Sequence, residues 1–218
     1  MTAPADGALQ APRASEDFEV RELQHGEVAE WFHVYCTRNY PDTNARTFAQ
    51  GWGDTRFAPI QEVDGTAVHT YYVASTPEAA YMESVLHDVP LAPAGMFEVA
   101  SLRYFHLVRL RLPPVLRYVS FHTPFLPQLG ITRAQLIDSP PAFYDSTRKW
   151  SQAACLQCAD AQAVGYGSKR DDAARCLLLF GQRLPDPPFE VLGEEPLALG
   201  PRRDELLRLV RALKLHEV

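Results

Sequence analysis

The sequence predicts an α+β fold in one compact domain. Short alternating apolar runs recur between about Trp31 and Phe180, as half-buried strands require. Apolar residues at three- and four-residue spacing mark several helices among them. At 218 residues and 46% apolar, the chain can bury one sizeable core. Strands and helices interleave without a repeat, which is the pattern of the mixed class.

Residues 1–17 are rich in Ala, Pro and Gly and read as a disordered tail. The catalytic domain is expected over 18–184. Gly26 to Phe32 predicts a short helix, and residues 37–66 are loop-rich. Val68 to Ala74 reads as a strand bounded by Gly65 and Pro77. A helix follows, with Thr76 or Ser75 as cap and Pro77 at its first position. Ala79, Met82, Leu86 and Val89 give its apolar stripe, and Glu83 borders that stripe. Leu102 to Leu112 alternates as a strand and stops at Pro113-Pro114. Thr132 caps a short helix to Asp138; Asp145 or Ser146 caps a longer one carrying Trp150, Ala153, Ala154 and Leu156. Val164–Tyr166 and Cys176–Phe180 are two further strands, the second apolar enough to be central. Residues 185–200, rich in Pro, Gly and Glu, read as a connector. Residues 201–218 hold an amphipathic helix, with Leu206, Leu207, Val210 and Leu213 inward. That helix is also a candidate surface for docking a partner or a second copy.

Composition removes several classes of function. A net charge of −6 argues against direct nucleic-acid binding, because phosphate neutralisation needs a basic face. Residues 1–17 have neither the basic start nor the apolar run of a secretory signal. No stretch is apolar and long enough to span a bilayer, so no membrane partner is expected. Four cysteines are too few for a disulfide scaffold in a chain this long, and Cys155-x-x-Cys158 has no second pair to complete a metal site. A soluble, cytoplasmic protein without a bound metal is expected. No phosphate loop, no dinucleotide Gly-x-Gly-x-x-Gly and no His-Glu-x-x-His is present. Nor is there a Gly-x-Ser-x-Gly nucleophile elbow.

Three segments can carry chemistry. Arg56 follows Gly51, Gly53 and Asp54 in a loop, and a guanidinium is the fork that best grips a pyrophosphate. Tyr72 ends a strand, and Glu83 lies eleven residues on, beyond the start of the next helix. A carboxylate beside a ribose can hold its hydroxyl and offset positive charge at the anomeric carbon; a tyrosine can stack on a departing ring. Ser168 and Lys169 follow Gly165-Tyr166-Gly167, where the glycines permit unusual dihedrals and close backbone approach. Taken singly, each has a plainer reading. Arg56 suits a surface, Tyr72 a core, Glu83 a helix surface and Ser168 a polar turn. His33 reads as a satisfied core histidine.

Taken together, Thr55-Arg56-Phe57, Tyr72-Val73-Ala74-Ser75 with Glu83, and Gly167-Ser168 place Arg, Glu and Ser in one order. The set resembles the RES domain, a family named for those residues. The resemblance runs from about Trp31 to Phe180. The family's Gly and Asn around the arginine are Thr55 and Ala58 here, and His33 stands near where the family often has Arg. The resemblance implies a fold related to the ADP-ribosyltransferases and an NAD-degrading toxin paired with an Xre-type antitoxin. NAD would be substrate rather than cofactor, its nicotinamide–ribose bond cleaved with water or inorganic phosphate as acceptor. It assigns Arg56 and Glu83 to catalysis and Tyr72, Phe57, Ser168 and Lys169 to substrate binding. Two other readings of the same site stay open: a mono-ADP-ribosyltransferase acting on a protein, and a catalytically idle binding module.

Overall fold

The structure, a computed structural model, describes residues 8–24 and 26–218. Its elements in chain order are β1 (Val20–Gln24), β2 (Trp31–Cys36), β3 (Ala49–Gln50), β4 (His69–Ala74), α1 (Pro77–Met82), β5 (Met96–Phe97), β6 (Phe105–Arg111) and β7 (Val115–Ser120). Then come α2 (Arg133–Leu136), α3 (Tyr144–Gln157), β8 (Ala163–Gly167), β9 (Arg175–Phe180), β10 (Glu190–Pro196), α4 (Pro201–Ala212) and β11 (His216–Glu217).

The apolar run Cys176–Phe180 makes β9 central, as its sequence requires. Cys176, Leu178 and Phe180 enter one core, while Leu177 and Leu179 enter a second on the opposite face. That is the strand period of two with both faces buried. The large sheet runs β1-β7-β8-β9-β4-β2-β6-β10, with β3 added on β4. Only β7 and β8 pair in parallel; the other ladders of this sheet are antiparallel. A parallel pair needs a long crossover. Here α2 and α3 supply it, with Trp150 and Ala154 of α3 buried in the first core. The α+β class read from the sequence is the observed one.

One joint in this sheet is incomplete. β4 pairs with β9 at five positions and β2 with β6 at six, yet β2 meets β4 only at Phe32↔Ala74. From that rung the two strands diverge, and a cleft opens between them.

Several boundaries differ from the sequence reading. Residues 26–32 do not form a helix; Trp31 begins β2, which aromatic and β-branched side chains favour. The strand expected from Leu102 begins at Phe105, because Val99–Tyr104 is a 3₁₀ turn. Residues 185–200 are not merely a connector. They contain β10, an edge strand whose bulge between Val191 and Gly193 and whose final Pro196 an edge position tolerates. Of the tail expected to be disordered, 1–7 lies outside the described residues. Residues 8–17 run irregularly along α3: Trp150 Nε1 donates to Gln10 O (2.8 Å), Gln157 Nε2 to Arg13 O (2.9 Å) and Glu16 N to Gln157 Oε1 (2.7 Å). The C-terminal helix keeps its predicted inward face of Leu206, Leu207 and Val210, then ends at Ala212. The chain finishes as β11, parallel to β5.

No helix among the described residues is long and apolar enough to cross a membrane. No cluster of three metal-binding side chains occurs among them either, and Cys155 and Cys158 are free thiols at the end of α3.

Two half-buried histidines give stability a pH dependence. Burial pushes the His33 imidazole down to about 4. Burial, then the charges of Arg175, Arg133 and Arg21, brings His122 down to about 4 as well. Unfolding releases both to the ordinary value near 6.5, so the unfolded chain binds more protons between about 4 and 6.5. Stability therefore rises with pH across that window. Melting temperature is expected to fall on acidification from pH 6.5 towards 4, with a shallower slope in His122→Gln, as measured by thermal denaturation.

Candidate functional site

The divergence of β2 from β4 leaves the carbonyl of Tyr72 without a ladder partner on β2. The His33 ring takes that place, with Nδ1 2.7 Å from Tyr72 O. A carbonyl only accepts, so Nδ1 carries the proton, and the neutral ring keeps an acceptor lone pair on Nε2. The ring also stacks on Tyr71 at 3.9 Å between centroids. Tyr71 itself points to the opposite core and donates to Ala45 O (2.8 Å), as the alternation of a strand dictates.

The hydroxyl of Tyr72 is fully used. Thr55 Oγ1 donates to Ala58 O (3.0 Å), so Tyr72 donates to Thr55 Oγ1 (2.8 Å) and accepts from Phe57 N (3.2 Å). Burial pushes this phenol up to about 12. With its oxygen committed to the Arg56 loop, Tyr72 offers its ring to the cleft.

The loop carrying Arg56 is fastened to α3. Arg148 donates to Thr55 O (3.3 Å), Thr147 to Arg56 O and Ser151 to Phe57 O (2.6 Å). Residues 147 and 151 lie one turn apart on a single helix face, so three consecutive carbonyls find donors without a strand partner. Before it, Gly51 and Gly53 adopt φ of 84° and 100°, which other side chains rarely tolerate. The Arg56 guanidinium is buried and donates to Ser139 O (2.9 Å), Ser139 Oγ (3.1 Å) and Tyr144 Oη (3.4 Å). Phe57 turns the other way. It is fully buried against Phe121 and Tyr166, at 5.6 and 5.0 Å, so its predicted substrate contact is replaced by a core role. Ala58, where the family has an amide, is also buried.

Glu83 stands at the C-cap of α1 rather than two turns into a longer helix. Ser84 Oγ bonds back to Ala80 O, and Arg170 draws His87 O (2.6 Å) and Val89 O (2.9 Å) out of helical register. One carboxylate oxygen, Oε1, accepts from Ser168 Oγ (2.6 Å) and Lys169 N (3.0 Å). Among the described residues Oε2 has no hydrogen-bond partner. Ser168 is fully buried, and its oxygen also accepts from Arg170 N and Asp171 N, each at 3.1 Å. The hydroxyl expected to meet substrate instead anchors the glutamate. The preceding glycines permit close approach to protein: a Cβ on Gly165 would lie 2.5 Å from the Tyr118 ring, and one on Gly167 3.0 Å from Arg133. Neither has a positive φ.

Lys169 remains at the cleft, its Nζ 3.3 Å from Ser139 O, the carbonyl that Arg56 also uses. Burial, then Arg56 and Arg170, lowers its pKa. Two cations gathered on one carbonyl concentrate positive charge at the cleft of an otherwise acidic protein. The cleft has a compartment of about 500 Å³ running from His33, Val34 and Tyr72 past Arg56 and Glu83 to His87 and Tyr144. A smaller one of about 270 Å³ adds Lys169 and Arg170. An apolar pocket of about 270 Å³ adjoins at His33, Val34, Thr55 and Tyr72. Near its mouth Tyr40 and Trp52 stack at 4.4 Å.

Arg56, Tyr72, Glu83 and Lys169 thus converge; Ser168 lies behind Glu83, and Phe57 lies in the core. Sequence reasoning missed Ser139, Tyr144, His87 and Asp88. Only the run Ser-Pro-Pro-Ala-Phe-Tyr at 139–144, a tight approach to a helix start, hinted at the first two.

Residues 30–198 match the RES domain family. No curated protein matches the sequence. Among solved structures, the fold is similar to a chain in the crystal structure of the M. tuberculosis MbcT–MbcA toxin–antitoxin complex. The TM-score is 0.58 at 14% identity, covering 88% of this chain and 92% of that one.

Proposed function

The chain belongs to the RES domain family, and from that premise we propose that it is a toxin that binds NAD in the split-sheet cleft and cleaves the nicotinamide–ribose bond. One observation carries the reading: among the described residues Glu83 is held through Oε1 alone, leaving Oε2 without a partner in the compartment that Arg56 and Lys169 also line. Substrate binding and charge stabilisation need those two functions side by side.

In this reading Arg56 and Lys169 hold the pyrophosphate, and the ring of Tyr72 lies against nicotinamide. The C–N bond breaks with its electron pair going to nicotinamide, whose ring becomes neutral. Positive charge moves onto the ribose, where Glu83 stabilises it, as carboxylates do in glycoside cleavage. Ser168 positions Glu83. Water or inorganic phosphate then closes the anomeric centre, giving ADP-ribose or ADP-ribose 1″-phosphate. An enzyme that drains cellular NAD calls for an inhibitor, and an Xre-type antitoxin fits the family and the named complex that this fold resembles.

Purified protein is expected to release nicotinamide from NAD, with the products identifying the acceptor. Expression is expected to arrest growth and lower cellular NAD, while Glu83→Gln at equal abundance is tolerated. Absence of nicotinamide release both with and without phosphate, or equal harmlessness of the two proteins, defeats the reading.

A further inference from the structure

We propose that Asp88, His87 and Tyr144 form a proton relay that activates a hydroxyl acceptor in the cleft, and so sets how far NAD is hydrolysed rather than passed to phosphate. The proposal rests on the NAD-cleaving reading above and concerns cleft residues to which that reading gives no role.

The relay follows from hydrogen-bond accounting. His87 Nδ1 lies 2.7 Å from Asp88 Oδ1. A carboxylate only accepts, so Nδ1 carries a proton, and in the neutral tautomer the lone pair falls on Nε2. Nε2 lies 3.0 Å from the Tyr144 hydroxyl, which must then donate to it. The same phenolic oxygen accepts from Arg56 at 3.4 Å. A base oriented by a carboxylate and bonded to a hydroxyl is the arrangement used to draw protons from nucleophiles. Arg170, bound to His87 O and Val89 O, fixes the segment that presents it. All three members line the compartment that contains Glu83 and Arg56.

Burial raises the pKa of Tyr144, so the phenol does not act as a standing phenolate. It gives up its proton only as it receives another. As the water oxygen bonds to the anomeric carbon, its proton passes to Tyr144 Oη and the Tyr144 proton passes to His87 Nε2. The imidazolium so formed is paired with Asp88, and nicotinamide has already left with the C–N electron pair. Atoms and charge balance without another reactant. Inorganic phosphate arrives at neutral pH with an oxyanion already present and needs no such base.

The two acceptors therefore separate a proton relay from a structural role. NAD is supplied to the full-length protein with and without inorganic phosphate, and ADP-ribose and ADP-ribose 1″-phosphate are quantified. His87→Gln and Tyr144→Phe are expected to lower ADP-ribose formation by about 10²-fold, while the phosphate product falls by less than about threefold. Asp88→Asn, at an exposed carboxylate, shifts the ratio in the same direction and serves if the other variants do not fold. If the wild type only hydrolyses, added imidazole is expected to restore ADP-ribose formation to His87→Ala. Loss of both products in step, failure of that rescue, or a wild type that makes only the phosphate product overturns the relay. A wild type that releases no nicotinamide overturns the NAD reading and the relay with it.

Discussion

Glu83→Gln is expected to lower the turnover of NAD cleavage by about 10²- to 10³-fold, the range seen when a group that stabilises transition-state charge is removed. The substitution keeps the geometry. A glutamine carbonyl in place of Oε1 still accepts from Ser168 Oγ and Lys169 N, now 2.6 and 3.0 Å away. Its amide group replaces Oε2, so the negative charge disappears and an acceptor becomes a donor while the anchor stays in place. Positive charge on ribose exists in the transition state and not in bound NAD, whose charge sits on the nicotinamide ring. Affinity for NAD should therefore change little while kcat collapses. Steady-state kinetics with a separate binding titration makes the measurement. Near-normal turnover would show that the carboxylate is a structural anchor for the Ser168 turn.

The second large effect is on stability. Phe57→Ala should cost about 3–5 kcal/mol, the usual range for emptying a fully buried aromatic site. The ring has no exposure and contacts Phe121 in the turn after β7 and Tyr166 in β8. A cavity there lies beneath the loop that holds Arg56. Urea denaturation measures the loss as a lower midpoint at unchanged slope. Phe57→Leu separates packing from recognition. It keeps most of the volume, so a core role predicts a small loss of stability and intact NAD affinity. Strong loss of affinity in a stable Phe57→Leu protein would return Phe57 to the substrate.

What the sequence disclosed follows the range of the forces involved. The central strand β9 and the inward face of α4 were legible because burial writes a period into neighbouring residues. Arg56, Tyr72 and Glu83 stood out in the sequence because each sits at a junction where turn chemistry breaks that period, and the fold brings all three to one cleft. β10 was not, since Gly193, Pro196 and three glutamates look like a linker, and only pairing with β6 makes them a strand. Phe57 and Ser168 were assigned to the right neighbourhood and the wrong neighbour. Side-chain direction there depends on Thr55 bonding Ala58 and on Glu83 reaching across from α1, contacts that no local pattern encodes. His87, Asp88 and Tyr144 meet across 57 residues of chain and carry no shared motif.

The single rung between Phe32 and Ala74 has a consequence for adhesion. A sheet normally carries its unpaired backbone groups on its two outer borders, where another chain can zip onto them. Here the outer borders are guarded. β10 is kinked by its bulge, ends in proline and bears Glu190, Glu194 and Glu195, while β1 is five residues long and bears Arg21 and Glu22. The divergence of β2 from β4 creates a second pair of borders in the interior of the sheet, recessed between Tyr72, His33 and the Arg56 loop. A passing polypeptide meets blunted outer edges, while the inner border of β4 is bonded at Tyr72 O by the His33 ring and at His69–Thr70 by β3, which leaves the recess between β2 and β4 to a small molecule. By the same division the nine strands are two blocks hinged at one rung, and a molecule lodged between them acts as mortar. Amide hydrogen exchange along β2 and β4 should slow when the cleft is filled, a direct gauge of occupancy even in the Glu83→Gln protein.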